Sequence, residues 1–487
     1  MSTISLTPTP RAVATERDAT ARTAWLGFAV VIAASLMDLL DSTIAQTAAP
    51  AIRRDLGGSF ASLEWISASY VLAMSVTLLL GSRLGDILGR RRTLLVGIGG
   101  FAATSALCAA APTPSTLIAA RTLQGVCAAL MVPQTFGLIR ELFGDEGQRK
   151  AFGIVGPVMG LGAVAGPLAG GGLIDLNLLG TGWRAIFLVN LPVAAAAIAL
   201  GLRSLPRSPA AAPDARPDVV SVALSMAGGF GLVYPLVEGR AQGWPAWCFA
   251  LLGGGVVAFA VFVARQRSRA AAGRTPLVEP SILRRRPYVA GLVVVVCFIG
   301  AMGGMMIALN VMFQNGLGFS PFASGVATVA IPGAAIAGSI ASSMLLERLG
   351  RTTMHIGLVV MAAGLGSAEI VLRSVGGGLS AWDLAGPLGV TGLGMGMVFV
   401  PMFDVILAGV QPRQLGSASG LLQAVQQFAM AVGIAATGTV LFDRLGERFG
   451  PGAFVDAAGQ GLLVAIGFLV AAVIAVCWLP RHVRSDA

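Results

Sequence analysis

Three ionisable residues in the first quarter of the chain lie within apolar segments, where charge is costly. Asp38 and Asp41 stand three residues apart in the apolar run 24–46, so a helix places both carboxyl groups on one face. Arg121 is the one basic residue that falls inside an apolar run. Burial disfavours the charged form of a carboxylic acid, and a nearby fixed positive charge opposes that effect. The trio could therefore take up and release protons.

A structural role for these residues is the alternative. A charge at the centre of a membrane costs at least about 2.5–3.5 kcal/mol, so an intramembrane charge is a functional candidate by default. Arg121 could instead be a hydrogen-bonding hub between helices, with Asp38 or Asp41 as its partner. The residue types leave open which of the two acids carries a proton.

The second half of the chain offers fewer candidates. Asp404 is its clearest acid within an apolar run, where it could form a second proton or cation site or line a pore near the inner end. Glu369 precedes Arg373 by four residues, which predicts an ion pair on one helix face. We expect solvent around four acids at the ends of apolar runs: Glu64, Asp175, Glu238 and Asp383.

The composition predicts the elements that must position these residues. The 487 residues are 55% hydrophobic and 11% charged, with a mean hydropathy of +0.81, whereas soluble proteins carry about 25% charged residues. This excludes an ordinary water-soluble enzyme and a disordered chain. Fourteen apolar runs approach or exceed the ~20 residues that cross a bilayer: 24–46, 63–81, 93–111, 115–139, 151–173, 184–203, 217–238, 245–265, 287–313, 322–346, 353–373, 382–411, 418–442 and 460–479.

The distribution of basic residues predicts the orientation of these spans. The net charge is +10, and with the N-terminus in the cytoplasm 25 of the 33 basic residues lie on the inner side and 7 on the outer side. Cytoplasmic loops are enriched in Lys and Arg, so this bias indicates an even number of spans with both termini inside. Twelve spans would satisfy the same parity. The number fourteen depends on the runs 217–238 and 245–265.

A short internal repeat divides the chain into two halves. Leu84-Gly85-Asp86-Ile87-Leu88-Gly89-Arg90 precedes the third span, and Leu345-Leu346-Glu347-Arg348-Leu349-Gly350-Arg351 precedes the eleventh, at an offset of 261 residues. Repeated halves with a substrate site between them are typical of secondary transporters. The predicted organisation is a cytoplasmic N-tail, a six-helix bundle, a central two-helix insert with its linkers, a second six-helix bundle and a cytoplasmic C-tail: 1–23, 24–203, 204–286, 287–479 and 480–487.

Several classes of chemistry lack the residues they need. The single lysine, Lys150, has no phosphate-binding glycine-rich loop around it, which disfavours an ATP-driven pump with its motor in this chain. The five cysteines fall in apolar runs without a Cys-x-x-Cys pair, and the two histidines are far apart in sequence. We therefore expect no disulfide framework, no metal site, no cofactor and no nucleic-acid partner.

The loop before the third span carries the most specific pattern in the sequence. Gly85 and Gly89 permit close backbone approach in a tight turn. Asp86 can pair with Arg90 or sit at a neighbouring helix N-terminus, where the helix dipole favours an anion. Such a contact would lock two spans together in one conformation and release them in another. The alternative is a cationic loop that only sets topology.

These motifs resemble those of the major facilitator superfamily. The switch-loop signature covers Gly81, Gly85, Asp86, Gly89 and Arg90, with Glu347 and Arg351 at matching positions in the second half. The stretch from Leu40 to Pro50, which includes Asp41, is similar to a motif of the fourteen-span drug:proton antiporter branch, although Gln46 stands where that motif has Asn. Arg121-Thr122-Leu123-Gln124-Gly125 resembles a further family motif, and the segment from Trp183 to Pro192, with Asn190, resembles one of that branch.

The fifth span resembles the antiporter motif of the same family. Its small residues recur at intervals of four, which permits close helix packing, and its prolines can bend the helix. The resemblance implies a pivot and proton seal, while ordinary close packing is the alternative. The residues concerned are Gly156, Pro157, Gly162, Gly166, Pro167 and Gly170.

The resemblance implies an all-α polytopic membrane protein of the major facilitator fold, with two six-helix bundles and two extra central helices. We expect a proton-coupled exporter of hydrophobic, cationic drugs or toxic compounds in the cell membrane, functional as a monomer. Asp41, Asp38, Arg121 and Asp404 are the expected coupling residues. A dedicated transporter of one metabolite, such as a self-made antibiotic, an amino acid or a lipid, is the alternative on the same fold. An intramembrane enzyme and a channel are disfavoured.

Overall fold

The computed structural model describes residues 10–177, 180–207, 218–239, 242–274, 276–375, 378–380, 382–407, 415–446, 448 and 450–479. Within these residues the chain is helical and contains no β-strand. The α-helices run as follows: α1 Pro10–Leu56, α2 Phe60–Leu88, α3 Arg90–Ala109, α4 Pro114–Met131, α5 Gln134–Leu176, α6 Ala185–Leu188, α7 Asn190–Ser204, α8 Val219–Glu238, α9 Ala246–Ala271, α10 Arg286–Val311, α11 Pro321–Thr328, α12 Ala330–Leu349, α13 Thr352–Val375, α14 Ala385–Leu407, α15 Leu415–Leu445 and α16 Pro451–Val476.

Eleven helical segments of the described chain are long and apolar enough to cross a membrane. The other three predicted spans coincide with α4, α5 and α14. α4 has 18 residues, among them Arg121 and Gln124, which lower its hydropathy. α14 has 23 residues, of which Ala385–Phe399 is the apolar segment within the described part. α1 begins at Pro10, and the candidate span within it is Arg22–Leu56.

The helices of the two halves pack in the same pattern. In the first half, α2 packs on α4, α1 on α5, α3 on α4, and α7 on both α1 and α3. In the second half, α12 packs on α14, α10 on α15, α13 on α14, and α16 on both α10 and α13. Each pairing in one half thus has a counterpart in the other, as the short sequence repeat suggested.

Glycines allow the closest of these approaches. A Cβ atom on Gly125 of α4 would collide with the backbone carbonyl of Tyr70 on α2. In the matching pair of the second half, a Cβ atom on Gly392 of α14 would collide with the carbonyl of Ile331 on α12. The small residues therefore determine how near the paired helices lie, because any side chain at these positions would push the backbones apart.

Contacts between the halves are made by α2 with α15 and by α5 with α11. Two polar contacts of this kind lie toward the end of the molecule where α1 ends and α2 begins, which we call the first-loop end. There Gln314 Nε2 donates to the Thr47 carbonyl at 2.5 Å, and the Phe322 amide donates to Asp175 Oδ2 at 3.3 Å. The hairpin of α8 and α9 lies beside this seam, since α8 packs on both α2 and α15.

Candidate functional site

A buried ion pair between α1 and α4 forms the centre of the site. Arg121 is 1% exposed and Asp41 is 3% exposed, and Arg121 Nη1 donates to Asp41 Oδ2. Arg121 Nε also donates to the carbonyl of Ile66 on α2 at 3.2 Å. A buried ion pair is stable only when further hydrogen bonds satisfy its polar atoms. The surrounding side chains supply these bonds.

Two amide side chains complete the coordination of Asp41. Gln124 Nε2 and Asn190 Nδ2 each donate to Asp41 Oδ1 at 3.0 Å. The same two nitrogens lie 2.8 and 3.2 Å from the hydroxyl of Ser105, and Gln124 Oε1 accepts from Arg121 Nη1 at 2.8 Å. The cluster therefore joins α1, α3, α4 and α7, with α2 attached through the Ile66 carbonyl.

Tyr70 links this cluster to the second acid of α1. Its hydroxyl donates to Asp38 Oδ1, and its ring lies under the Arg121 guanidinium, with Arg121 Cζ 4.2 Å from the ring centroid. A cation over an aromatic face is attracted by the ring, more strongly when both are removed from water. Asp38 itself is only partly buried. The site thus holds two carboxyl groups and one guanidinium in a continuous chain of contacts.

The two acids differ in what proton uptake would cost. A proton on Asp41 would cancel its ion pair with Arg121 and leave a buried guanidinium without a counter-charge. A proton on Asp38 would cost no ion pair, because the described part of the chain gives Asp38 Tyr70 as its hydrogen-bonding partner and no cation. The arrangement can hold a proton at Asp38 while Asp41 fixes the arginine.

Some members of this cluster are evident from the sequence and others are not. Asp38, Asp41 and Arg121 were named as charges in apolar runs, and the structure brings them together. Gln124 and Asn190 belong to the quoted motifs but were not assigned a role, although an amide in an apolar helix is itself a signal. Ser105 and Tyr70 were missed, since a hydroxyl in an apolar run is too common to single out.

Other predicted acids have different environments. Glu369 pairs with Arg373 across one helical turn, as expected. The expectation of solvent around Glu64 is wrong: Glu64 is 0% exposed because α15 covers it, with its carboxylate beside Gly438. Asp404 belongs to α14, but its side chain lies outside the described part of the structure.

The switch loop joins α2 to α3 through glycine-dependent contacts. Gly89 has φ +89° and separates the two helices, a conformation that other residues rarely adopt. A side chain on Gly85 would collide with Gln134, whose amide donates to the Gly81 carbonyl at 3.0 Å. The loop therefore packs against the start of α5.

The charges of this loop pair differently from the simplest expectation. Asp86 Oδ2 lies 3.8 Å from Arg83 Nη1, one turn earlier on the same helix. A pair of Asp86 with Arg90 was one of the two arrangements considered, but the Arg90 guanidinium lies 3.3 Å from Glu141 Oε1 on α5. Arg90 thus ties the loop to the neighbouring helix in this conformation, and Asp86 remains near the surface.

The matching loop of the second half binds a helix end. Arg351 Nη1 donates to the carbonyls of Cys477 and Leu479, which follow α16. In the first half, Arg91 Nη2 donates to the carbonyl of Leu202 near the end of α7, the counterpart of α16. A cation at a helix C-terminus is favoured by unpaired carbonyls and the helix dipole. Glu347 lies in α12, and its side chain is outside the described part.

The small face of α5 packs on α1, the helix that carries both acids. Cβ atoms on Gly162, Gly166 and Gly170 would meet the side chains of Leu36, Thr43 and Ile44 in turn. This face of α5 therefore packs against the segment of α1 that contains Asp38 and Asp41. The three further members of the predicted motif lie in the helix, but their surroundings are outside the described part: Gly156, Pro157 and Pro167.

Comparisons with known proteins agree with this architecture. The family model of the Major Facilitator Superfamily matches residues 31–434. A probable actinorhodin transporter of Streptomyces coelicolor is 43% identical over 427 residues, which cover 87% of this chain and 73% of that protein. A tetracenomycin C resistance and export protein of Streptomyces glaucescens is 34% identical, over 87% of this chain and 77% of that protein.

The solved structures show likeness in fold alone. An auto-inhibited peptide transporter of the POT family superposes with a TM-score of 0.65 at 16% identity, covering 92% of this chain and 96% of that chain. At this identity the common feature is the arrangement of helices, and the substrate of the solved protein does not carry over.

Proposed function

The chain belongs to the major facilitator superfamily, a family of multi-pass membrane transporters, and on that basis we propose that it exports hydrophobic, antibiotic-like compounds in exchange for protons. Export of such compounds is supported by relatives that are named for antibiotic transport and resistance. Proton exchange is supported by one observation above others, the buried cluster that joins Asp38, Tyr70, Arg121 and Asp41.

The proposed cycle uses Asp38 as the proton carrier. Asp38 lies on the same face of α1 as Asp41 and is reached from Arg121 through Tyr70. Loss of its proton adds a negative charge one turn from the ion pair, which strengthens the pull on the arginine. Because Arg121 also holds α2 through the Ile66 carbonyl, a change in charge at Asp38 can shift the packing of several helices. Asp404 remains a proposed second site.

Rocking of two halves around this site is the proposed transport motion. The switch loops hold α5 through Arg90 and the end of α16 through Arg351 in the conformation described. We propose that these contacts break and reform as the cavity between the two halves opens alternately to each side of the membrane. The glycine face of α5 on α1 is the proposed pivot and proton seal.

The proposed topology has fourteen spans, the eleven apolar segments together with α4, α5 and α14. These form two six-helix bundles, with α8 and α9 as the central insert. The excess of basic residues on one side supports cytoplasmic termini and places the first-loop end outside the cell membrane. The transporter is proposed to act as a monomer in the lipid bilayer.

The test is substrate-induced proton release in everted vesicles that have been acidified inside. We expect the wild type to release protons when an exported compound is added, and Asp38→Asn to bind the compound without releasing protons. Asp443→Asn, which changes an exposed acid in α15, is the matched control and should behave as the wild type. Transport that persists after the proton gradient is collapsed, or uphill transport by Asp38→Asn, would overturn the coupling.

Export of a single antibiotic is the second candidate for this chain. It is favoured because the two relatives described above are each named for one compound. A susceptibility and dye-efflux panel in a host without its own pumps separates the two candidates. Protection against one compound supports a dedicated exporter, and protection against several unrelated compounds supports multidrug export.

A further inference from the structure

A small gap lies in the seam between the two halves, beside the contact of Gln314 with Thr47. Helices α1 and α2 line one side of it, and α10 and α15 line the other. Gln46, Ser67 and Asn310 supply its polar atoms, and Ile307, Val311 and Ile434 supply much of its apolar wall. Gln46 lies five residues beyond Asp41, and Ser67 lies three residues before Tyr70. The gap is therefore adjacent to the proton site but distinct from it.

Two of the three polar side chains have no protein partner. Ser67 is 7% exposed, and neither its hydroxyl nor the Gln46 amide forms a hydrogen bond within the described part of the chain. Gln46 is partly buried, and both groups line the gap with hydrogen-bonding capacity that the described protein atoms leave unused. They can therefore bond a polar group that enters the gap.

Asn310 faces these two residues from the second half. Its Nδ2 donates to the Met306 carbonyl at 3.0 Å, and its Oδ1 accepts from the Ser324 hydroxyl at 3.3 Å. These bonds fix the orientation of the amide and leave acceptor capacity on Oδ1. The gap thus has one oriented amide on one side and an unengaged amide and hydroxyl on the other.

The gap has no charged side chain in its lining. The nearest buried acid on α2, Glu64, lies one turn from Ser67 and beside Gly438 of α15, and it is not one of the lining residues. A set of amide and hydroxyl groups complements a neutral group that both accepts and donates hydrogen bonds. It offers no ionic partner to a cation.

We propose that Gln46, Ser67 and Asn310 form a polar subsite on the transport path, which binds an uncharged carbonyl or hydroxyl group of the exported compound. This proposal rests on the proposed export function and adds a substrate class to it. The subsite spans both halves, so its two sides move relative to each other when the halves part.

The experiment compares efflux of two planar aromatic probes from a host without its own pumps. One probe is an uncharged dihydroxyanthraquinone, and the other is ethidium, a permanent cation. We expect Gln46→Leu and Asn310→Leu to slow efflux of the anthraquinone about tenfold, the equivalent of one lost hydrogen bond, and to change ethidium efflux less than about twofold. Gln46→Asn retains an amide and should recover most of the rate.

Ile307→Leu is the matched control, because it reshapes the same gap without changing its hydrogen bonds. Equal loss of both probes in the leucine variants, or no loss of either, would overturn the subsite. Ethidium efflux by a wild type that does not move the anthraquinone would also overturn it, while leaving export intact. A wild type that moves no compound in a broad drug panel would instead refute the proposed function.

Discussion

Arg121 connects more of the site than any other side chain described. Its guanidinium bonds Asp41 and Gln124, reaches the Ile66 carbonyl and lies over the Tyr70 ring. A buried charge of this kind depends on its partner, because removing one member leaves the other in a low-dielectric surrounding without compensation. Arg121 and Asp41 should therefore behave as a unit in stability measurements.

Substitution of Asp41 tests this dependence at the residue scale. We expect Asp41→Asn to lower the free energy of unfolding by about 3–5 kcal/mol, since Arg121 is then buried without a counter-charge. The double variant Asp41→Asn with Arg121→Gln should recover most of that loss. Thermal unfolding in detergent measures both, with Asp443→Asn as the exposed control. A double variant less stable than Asp41→Asn would contradict the pairing.

At the scale of elements, the packing of α5 on α1 decides where the acids lie. Gly162, Gly166 and Gly170 bring the two helices together beside the segment that holds Asp38 and Asp41. A larger side chain at these positions would displace α1 as a whole. A small displacement would separate Asp41 from its amide donors on other helices, so helix packing and site geometry are coupled.

A valine at position 166 tests that coupling. Its Cβ atom would collide with Thr43 Oγ1, and we expect Gly166→Val to cost about 1–3 kcal/mol through overpacking and to impair export. Gly253→Val on α9 is the control, because open space surrounds its added Cβ atom. Equal export by the two valine variants would show that the α1–α5 contact is not critical.

A second set of contacts between elements joins the hairpin of α8 and α9 to the linker that follows it. Asp218 caps α8 and binds Arg265 at 2.9 Å and Arg269 at 3.1 Å on α9. Gln266 accepts from the Leu277 amide at 2.8 Å, and Arg83 of the switch loop donates to the Pro276 carbonyl. The linker is thus held between the hairpin and α2.

The stability provided by Asp218 should depend on pH. Partial burial would raise the pKa of Asp218, but hydrogen bonds from Arg265 and Ser221 lower it to about 2. Because the folded-state pKa lies below the ordinary value of 3.8, the stabilisation is complete above pH 4 and is lost as the pH falls toward 2. We expect Asp218→Asn to cost about 1–2 kcal/mol at pH 7.

Thermal unfolding across this pH range checks the prediction. The difference in stability between the wild type and Asp218→Asn should narrow steadily below pH 4. A difference in stability that stays constant between pH 7 and pH 3 would show that the carboxylate charge of Asp218 does not stabilise the contact between α8 and α9.

At the scale of the whole molecule, the two halves meet at the first-loop end. Gln314 bonds Thr47 there, and the Phe322 amide bonds Asp175. Under the proposed topology this end faces outward, so the conformation described is closed on the outer side. Alternating access then requires these contacts to break in every cycle.

A cross-link across this end should stop export. We expect cysteines at Asp175 and Phe322, joined by a short reducible linker in a background without the native cysteines, to abolish efflux until the linker is reduced. Cysteines at Asp55 and Arg184 are the matched control, because these residues pair at 2.8 Å within one half. Full efflux by the 175–322 cross-linked protein would contradict movement between the halves.

The sequence by itself determined the membrane character and the family, and it predicts two related halves and the charged residues of the candidate site. These follow from composition and from motifs that place charged residues or glycines at fixed spacing. A segment within the membrane must satisfy its backbone hydrogen bonds internally, and a charged side chain there is costly and therefore a functional candidate. The structure establishes eleven segments of the described chain as long and apolar enough to cross a membrane, and the count of fourteen stays a prediction.

Only the tertiary structure decided which side chains form hydrogen bonds and ion pairs with one another. Asp41, Gln124 and Asn190 are separated by up to 149 residues, and nothing in their local sequences states that they share hydrogen bonds. Glu64 was expected in water and is buried, because its exposure depends on α15, which lies more than 350 residues away. Arg90 binds Glu141 instead of Asp86 for the same reason. Side-chain pairing depends on how helices that are far apart in sequence pack together, and a local sequence pattern carries no information about that packing.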